Sequence, residues 1–195
     1  MVYADNAATT KMSRTAIDAM LPYMETHYGN PSSLYRLGQE AAEALQSARE
    51  TVAACLGCTP REITFTSGGS EADNQALISA ARIGERKGKK HIISTAFEHH
   101  AILHTLKKLE KEGFEVVFLT PDADGRVPEE AVLKAVTGDT ILISVMAVNN
   151  ELGSIQPIEV LKKAVKRAGA PALVHVDGVQ AYGKLPLRPE KLGID

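Results

Sequence analysis

Short apolar runs rich in β-branched residues alternate along this chain with longer stretches in which apolar residues return every three or four positions. The runs are residues 63–66, 91–94, 115–119, 140–145 and 173–177. Few polar residues interrupt them, as expected of strands covered on both faces. The stretches between them predict helices. Residues 34–56 are rich in Ala, Glu and Gln and stop at Gly57, residues 71–86 end before Gly88, and residues 101–110 end before Gly113. Residues 128–136 and 157–168 each begin with Pro, which suits a first helical turn, and Gly169 follows the second. Strand–helix–strand repetition predicts βαβ units, hence an α/β fold with a mainly parallel sheet and helices on both faces. Ahead of residue 34 the pattern is less regular. It reads as an N-terminal arm over 1–12, then a helix that opens the main domain, 13–195. At the other end, Lys191-Leu192-Gly193-Ile194-Asp195 starts an apolar pattern like that of another strand, so the domain is expected to be incomplete at its C-terminus.

Composition narrows the classes. Of 195 residues, 44% are hydrophobic and 24% charged, the balance of a globular core rather than a disordered or fibrous chain. A formal net charge of -2 gives no global pull toward nucleic acid or an anionic membrane, so neither is expected as a partner. No apolar run approaches the roughly 18 residues that span a bilayer. The N-terminal Met1-Val2-Tyr3-Ala4-Asp5 has neither a basic start nor an apolar core, so no secretory signal is expected. Two cysteines are too few for a disulfide framework and agree with a cytoplasmic setting.

In an open α/β sheet, ligands bind beyond the carboxyl ends of the strands. Ser67-Gly68-Gly69-Ser70-Glu71 follows the first run and precedes a helix. Its glycines, its capping serine and the free amides of a helix start predict either a phosphate cradle or a plain capped turn. Met146-Ala147-Val148-Asn149-Asn150-Glu151 offers adjacent amide and carboxylate groups, which suit a ligand or a side-chain-stabilised turn equally well. In Val174-His175-Val176-Asp177-Gly178-Val179-Gln180, strand alternation puts His175 and Asp177 on one face. A buried Asp needs a cationic partner. The protonated ring nitrogen of pyridoxal phosphate is one; an exposed turn is the alternative. His99 and His100 follow the second run without a further Cys/His pair at ligand spacing, and Cys55-Leu56-Gly57-Cys58 is a lone C-x-x-C. No metal site is expected from either, and packing is the default for the cysteines.

Together these segments resemble the pyridoxal-phosphate-dependent cysteine desulfurases of the aminotransferase class-V group. The resemblance runs the length of the chain. It is carried in the family's order by Tyr3-Ala4-Asp5-Asn6-Ala7-Ala8-Thr9-Thr10, Gly29-Asn30-Pro31-Ser32-Ser33, Phe65-Thr66-Ser67-Gly68-Gly69-Ser70-Glu71 and Glu98-His99-His100-Ala101. Val148-Asn149-Asn150-Glu151-Leu152-Gly153 and His175-Val176-Asp177-Gly178-Val179-Gln180 complete it. Where members often carry a His after the Pro-Ser-Ser stretch, this chain has Leu34-Tyr35-Arg36.

The resemblance implies the large domain of an aminotransferase-like, fold type I enzyme, with pyridoxal 5'-phosphate as cofactor. By it, Gly69 and Ser70 hold the phosphate, and His99 stacks on the ring and takes part in proton transfer. Asn150 lies near the ring hydroxyl and the substrate carboxylate, Asp177 pairs with the ring nitrogen, and Gln180 bonds the ring oxygen. Asn30 lies near the substrate entrance. The implied reaction moves sulfur from L-cysteine to an enzyme cysteine as a persulfide and releases L-alanine. A sulfur acceptor or iron–sulfur scaffold follows, for iron–sulfur cluster assembly or other sulfur biosynthesis. The implied assembly is a homodimer, or a pairing with a chain that supplies the C-terminal half. The family's Schiff-base lysine would follow Asp195, and its persulfide cysteine would come later still, so residues 1–195 alone are expected to be inactive. Neither Lys184 nor Cys55 or Cys58 matches those positions. Two other readings are another class-V transferase, such as an aminotransferase, and a non-catalytic module of the same fold. Asn149-Asn150-Glu151 and the Gly29–Ser33 loop favour the desulfurase over the first. Retention of Asp177, His99 and Ser70 together speaks against the second.

Overall fold

Two of the longer helices end on glycines in the left-handed conformation, which only glycine adopts without strain: Gly57 at φ 74° and Gly169 at φ 60°. These are the stops that the sequence predicts. The computed structural model describes residues 2–195, which form two compact units, the first ending at Thr64 and the second spanning Phe65–Asp195.

The first unit is helical. Its α1 (Arg14–Glu25) starts at Ser13, whose hydroxyl accepts from the Ala16 N–H at 3.1 Å, and no residue of α1 is buried. The long α2 (Arg36–Leu56) ends at Gly57, and a single 3-10 turn, Pro60–Glu62, follows. Gly38 is a packing requirement rather than a flexible joint. A Cβ there would lie 2.4 Å from the Ser33 carbonyl oxygen and 2.8 Å from that of Asn30, so only glycine lets the 29–33 loop lie against α2.

The second unit is built on a four-stranded, wholly parallel sheet: β1 (His91–Thr95), β2 (Glu115–Leu119), β3 (Thr140–Ser144) and β4 (Leu173–His175), in the order β2-β1-β3-β4. The crossovers are α4 (His100–Lys111), α5 (Glu129–Ala135) and α6 (Leu161–Ala168), with α3 (Gly69–Glu85) preceding β1. Every residue of β1 and β3 is buried. Ile92 packs with Leu77 of α3 and Leu106 of α4, while its neighbour Ile93 packs with Val132 of α5 and Leu161 of α6. Strand alternation thus gives each face its own core, and helices cover both faces as predicted. The chain runs from β1 to β2 on one side and then to β3 on the other, so the strand order reverses between β1 and β3. That crevice, at the strands' carboxyl ends, is where this class of sheet binds ligands.

Two predicted strands differ from what forms. Residues 63–66 lie outside the sheet. Ile63 is extended, but its N–H donates to the Pro60 carbonyl and its carbonyl accepts from the Arg49 guanidinium, so local bonds replace a ladder. An apolar run is not a strand without a partner. At the C-terminus, Pro189–Leu192 forms α7, a single turn closed by Gly193, and extended pairing begins only at Asp195, whose N–H donates to the Val174 carbonyl at 3.0 Å. Beyond β4's end, Val145 N–H donates to His175 O at 3.2 Å and Ala147 N–H to Asp177 O at 2.8 Å, so pairing with the β3 side reaches Asp177.

Candidate active site

The start of α3 lacks a side-chain cap. Gly68 is its N-cap, not Ser70, and Ser70 sits inside the first turn. Ala72 N–H is the first to bond, to the Gly68 carbonyl at 3.1 Å; among the described residues no acceptor meets the amides of Gly69, Ser70 and Glu71. The acid that could have turned onto them is occupied elsewhere. Glu71 Oε2 accepts from the Ser67 N–H at 2.7 Å and the Ser67 hydroxyl at 2.5 Å, which holds its carboxyl below the usual range. Three open amides at the positive end of a 17-residue helix are groups that could seat an anion. A Cβ at Gly69 would lie 3.0 Å from Val179 Cγ2, so the turn after β4 abuts this seat closely.

That turn carries Asp177. One oxygen, Oδ1, accepts from the Val179 N–H at 2.9 Å. Burial pushes its carboxyl up, the Val179 bond opposes this, the Asp73 carboxylate adds to it, and His175 and His99 pull it down. Beneath it runs a polar chain. The Ser94 hydroxyl donates to the Ser144 carbonyl at 2.9 Å, the Ser144 hydroxyl lies 2.9 Å from His175 Nδ1, and His175 Nε2 lies 3.4 Å from Asp73 Oδ1 on α3.

Between β1 and α4, Glu98 is buried while its neighbour His99 is exposed. His99 caps α4: its Nδ1 accepts from the Ala101 N–H at 3.2 Å, which leaves the ring face open. After β3, Asn149 is structural. It is buried, donates through Nδ2 to the Phe97 carbonyl at 3.1 Å, and accepts through Oδ1 from the N–H groups of Glu151 and Leu152. Asn150 is half-buried, and no hydrogen bond of its side chain forms among the described residues. Gln180 Oε1 accepts from Lys184 Nζ at 3.0 Å. In the second unit His99, Asn150, Asp177 and Gln180 thus follow the carboxyl ends of β1, β3 and β4, while Gly69 and Ser70 lie in the first turn of α3, with Gly69 next to Val179. Asn30 belongs to the first unit, where its Oδ1 accepts from the Ser32 N–H at 2.9 Å and its carbonyl from the Ser33 N–H. Cys55 and Cys58, also in that unit, are free thiols.

The sequence profile of the aminotransferase class-V family matches residues 2–195. The chain belongs to this family. It is 46% identical over 194 residues to the cysteine desulfurase IscS of Methanosarcina thermophila, covering all of this chain and 47% of that protein. A cysteine desulfurase of Nostoc sp. is 43% identical over 195 residues, again covering all of this chain and 48% of the relative. The chain thus spans about half the length of the curated relatives it matches. Among solved structures, a NifS-like protein superposes with a TM-score of 0.95 at 43% identity, covering 100% of this chain and 53% of that one. SspA in complex with cysteine gives 0.92 at 35% identity, covering 99% and 55%. The sheet is therefore that of the fold type I enzymes.

Two buried acids near these segments are absent from the motif reading as functional groups: Asp73 and Glu98. Each left a trace. Asp73 lies on the buried stripe of α3 with Leu77, Ala80, Ala81 and Gly84, and an acid at helical spacing among apolar residues signals a buried partner. Glu98 follows the wholly buried β1 where the chain turns toward α4.

Proposed function

We propose that this chain is the cofactor-binding part of a cysteine desulfurase, the bed on which pyridoxal 5'-phosphate is held while sulfur leaves L-cysteine. The observation that carries this reading is the joining of two features that alone would be unremarkable in an α/β domain. A carboxylate at the end of a buried strand, Asp177, has only one oxygen engaged, by Val179, and it stands beside a helix start with three open amides. The donor set fits the cofactor. The open amides of Gly69 and Ser70, with the Ser70 hydroxyl, suit a phosphate dianion. The flat, exposed ring of His99 suits stacking. Asp177 suits a protonated ring nitrogen, and Asn150 and Gln180 supply polar groups for the ring oxygen and, through Asn150, the substrate carboxylate.

Bound there, the cofactor supplies an electron sink for the bonds broken at the amino acid's Cα. The chain's own residues bind and orient. Asp177 would keep a proton on the ring nitrogen by its negative charge and the α3 amides would fix the phosphate; because His99 Nδ1 accepts from Ala101, Nε2 carries the ring N–H and is the atom that would give a proton and take it back. The Schiff-base lysine and the persulfide cysteine are not among residues 1–195 and would be supplied by the other half of the family's length. The desulfurase relatives, and the bound cysteine of the 35%-identical SspA, support L-cysteine as substrate. Asn30 would serve near the substrate entrance. We place the protein in the cytoplasm, as a homodimer or paired with a chain carrying the remaining half, passing sulfur to an acceptor or iron–sulfur scaffold protein. Among the described residues no helix is long and apolar enough to cross a membrane.

The test is alanine formation from cysteine. The purified chain forms none alone and gains it when the remaining half is added as a second polypeptide with pyridoxal phosphate. If the added half and cofactor produce no alanine, the proposal fails.

A further inference from the structure

The turn between β1 and α4 is pinned at several points. Ala96 N–H donates to the Leu119 carbonyl at 2.9 Å, and Asn149 Nδ2 to the Phe97 carbonyl at 3.1 Å. Glu98 Oε1 accepts from the Thr95 hydroxyl at 2.7 Å and from the Met146 N–H at 3.0 Å, tying the end of β1 to the segment after β3. His99 comes next. Glu98 is 5% exposed, and its other oxygen, Oε2, is the single buried side-chain polar atom without a hydrogen-bond partner among the described residues. The charges that act on it are both acidic: Asp177 beyond β4 and Asp73 on α3. The imidazoles nearby, His175 and His99, act on Asp177. An ionised carboxylate so placed would have a bare buried oxygen and two like-charged neighbours.

We propose that Glu98 is a positioning residue for His99: as a neutral acid it seats the His99 turn on the ends of β1 and β3 and leaves the site's negative charge to Asp177. The inference rests on the proposed cofactor only for what His99 meets; the seat itself belongs to the unliganded chain. Burial, with Asp177 and Asp73 adding to it, pushes the Glu98 carboxyl up to about 7. Between the ordinary carboxylate range and that value the folded chain holds a proton that the unfolded chain has lost. Stability therefore falls as pH rises through this window and levels off above it. Above it the ion forms, and the turn that presents His99 loosens.

Thermal unfolding of the unliganded chain across this pH range tests the charge state. Glu98→Gln keeps an acceptor for Thr95 and Met146 but cannot ionise. Its unfolding temperature should lose the part of the pH slope due to Glu98 and should exceed the parent's on the alkaline side. Glu98→Ala loses both bonds and should be less stable than Glu98→Gln at every pH. In Glu98→Gln the His99 ring resonances should follow one step, the protonation of the imidazole itself, whereas the parent's should carry a second step at the titration of Glu98. Above that pH, pyridoxal phosphate should bind Glu98→Gln at least about tenfold more tightly than Glu98→Ala. Equal pH slopes in parent and Glu98→Gln, or a second His99 step that persists in Glu98→Gln, would overturn the proposal. If the slopes differ as expected but no variant binds the cofactor, the seat stands and the cofactor reading falls.

Discussion

The two ends of the sheet are built from the same strands and treat their polar groups in opposite ways. At the amino end His91, Thr140 and the charged groups around them are paired. His91 Nδ1 lies 2.8 Å from the Thr140 hydroxyl, which also accepts from the Thr137 N–H at 2.9 Å. Around it, Arg82 pairs with Glu85 and Glu112, Lys90 with Glu85, and Lys89 with Asp139. At the carboxyl end, among the described residues, the first α3 amides meet no acceptor, Asp177 has one oxygen bonded, and Glu98 buries an oxygen with no partner. Buried polar groups in folded chains are almost always satisfied, so open valence confined to one end marks where something else binds. Completed bonding is what stability needs; incomplete bonding is what a ligand needs.

Substitutions at the two ends should therefore separate cleanly, ligand effects at one and stability effects at the other. The largest effect is expected at Asp177. With the second half supplied, Asp177→Ala should lower kcat/KM for alanine formation by about 100-fold or more, equivalent to ~2.7 kcal/mol, while the unliganded chain unfolds at nearly the parent's temperature. Near-parental turnover would remove Asp177 from the site. Next comes Thr140→Val at the opposite end. It strips the buried His91 of its partner and should cost about 1–3 kcal/mol in denaturant unfolding. Its affinity for pyridoxal phosphate should match the parent's; a selective loss of affinity would erase the contrast between the ends.

A smaller effect is expected at Ser70→Ala. Since Gly68 is the cap, the change should leave unfolding within about 0.5 kcal/mol of the parent. Cofactor affinity by fluorescence titration should fall by roughly tenfold, or about 1.4 kcal/mol. Equal affinity would mean that the backbone amides alone make the seat. Smallest of all is Arg82→Ala, which removes half-exposed ion pairs. Its shift in unfolding temperature should shrink with added salt, as screened surface pairs do, with no change in cofactor affinity.

Local patterns foretold most of the frame. β1, β2 and β3 stand within a residue of the predicted ends because continuous apolar runs mark strands buried on both faces. The left-handed glycines gave the ends of α2 and α6. What failed was non-local. Residues 63–66 have the composition of a strand, yet pairing depends on a neighbour that no local pattern encodes. Ser70 has the chemistry of a cap, but the backbone enters the helix two residues earlier. Asn149 and Asn150 look interchangeable in sequence; only the fold turns one toward Phe97 and leaves the other half-buried. Asp73 and His175 meet across α3 and β4, a contact that each sequence neighbourhood alone conceals.

The bonds at Asp195 bear on aggregation. Among the described residues the outer side of β4 is a sheet edge, and an edge with free N–H and C=O groups invites strands from other molecules. Asp195 closes Val174 to such recruitment from both directions. Its N–H donates to the Val174 carbonyl, its Oδ2 accepts from the Val174 N–H at 3.0 Å, and Lys162 Nζ grips the same carboxylate at 2.7 Å. A negative charge fastened along an edge also repels an incoming backbone carbonyl. Asp195→Ala should therefore turn a silent edge adhesive. Light scattering on warming should rise earlier and more steeply with protein concentration than in the parent, and an unchanged onset would show that the edge is shielded by other means.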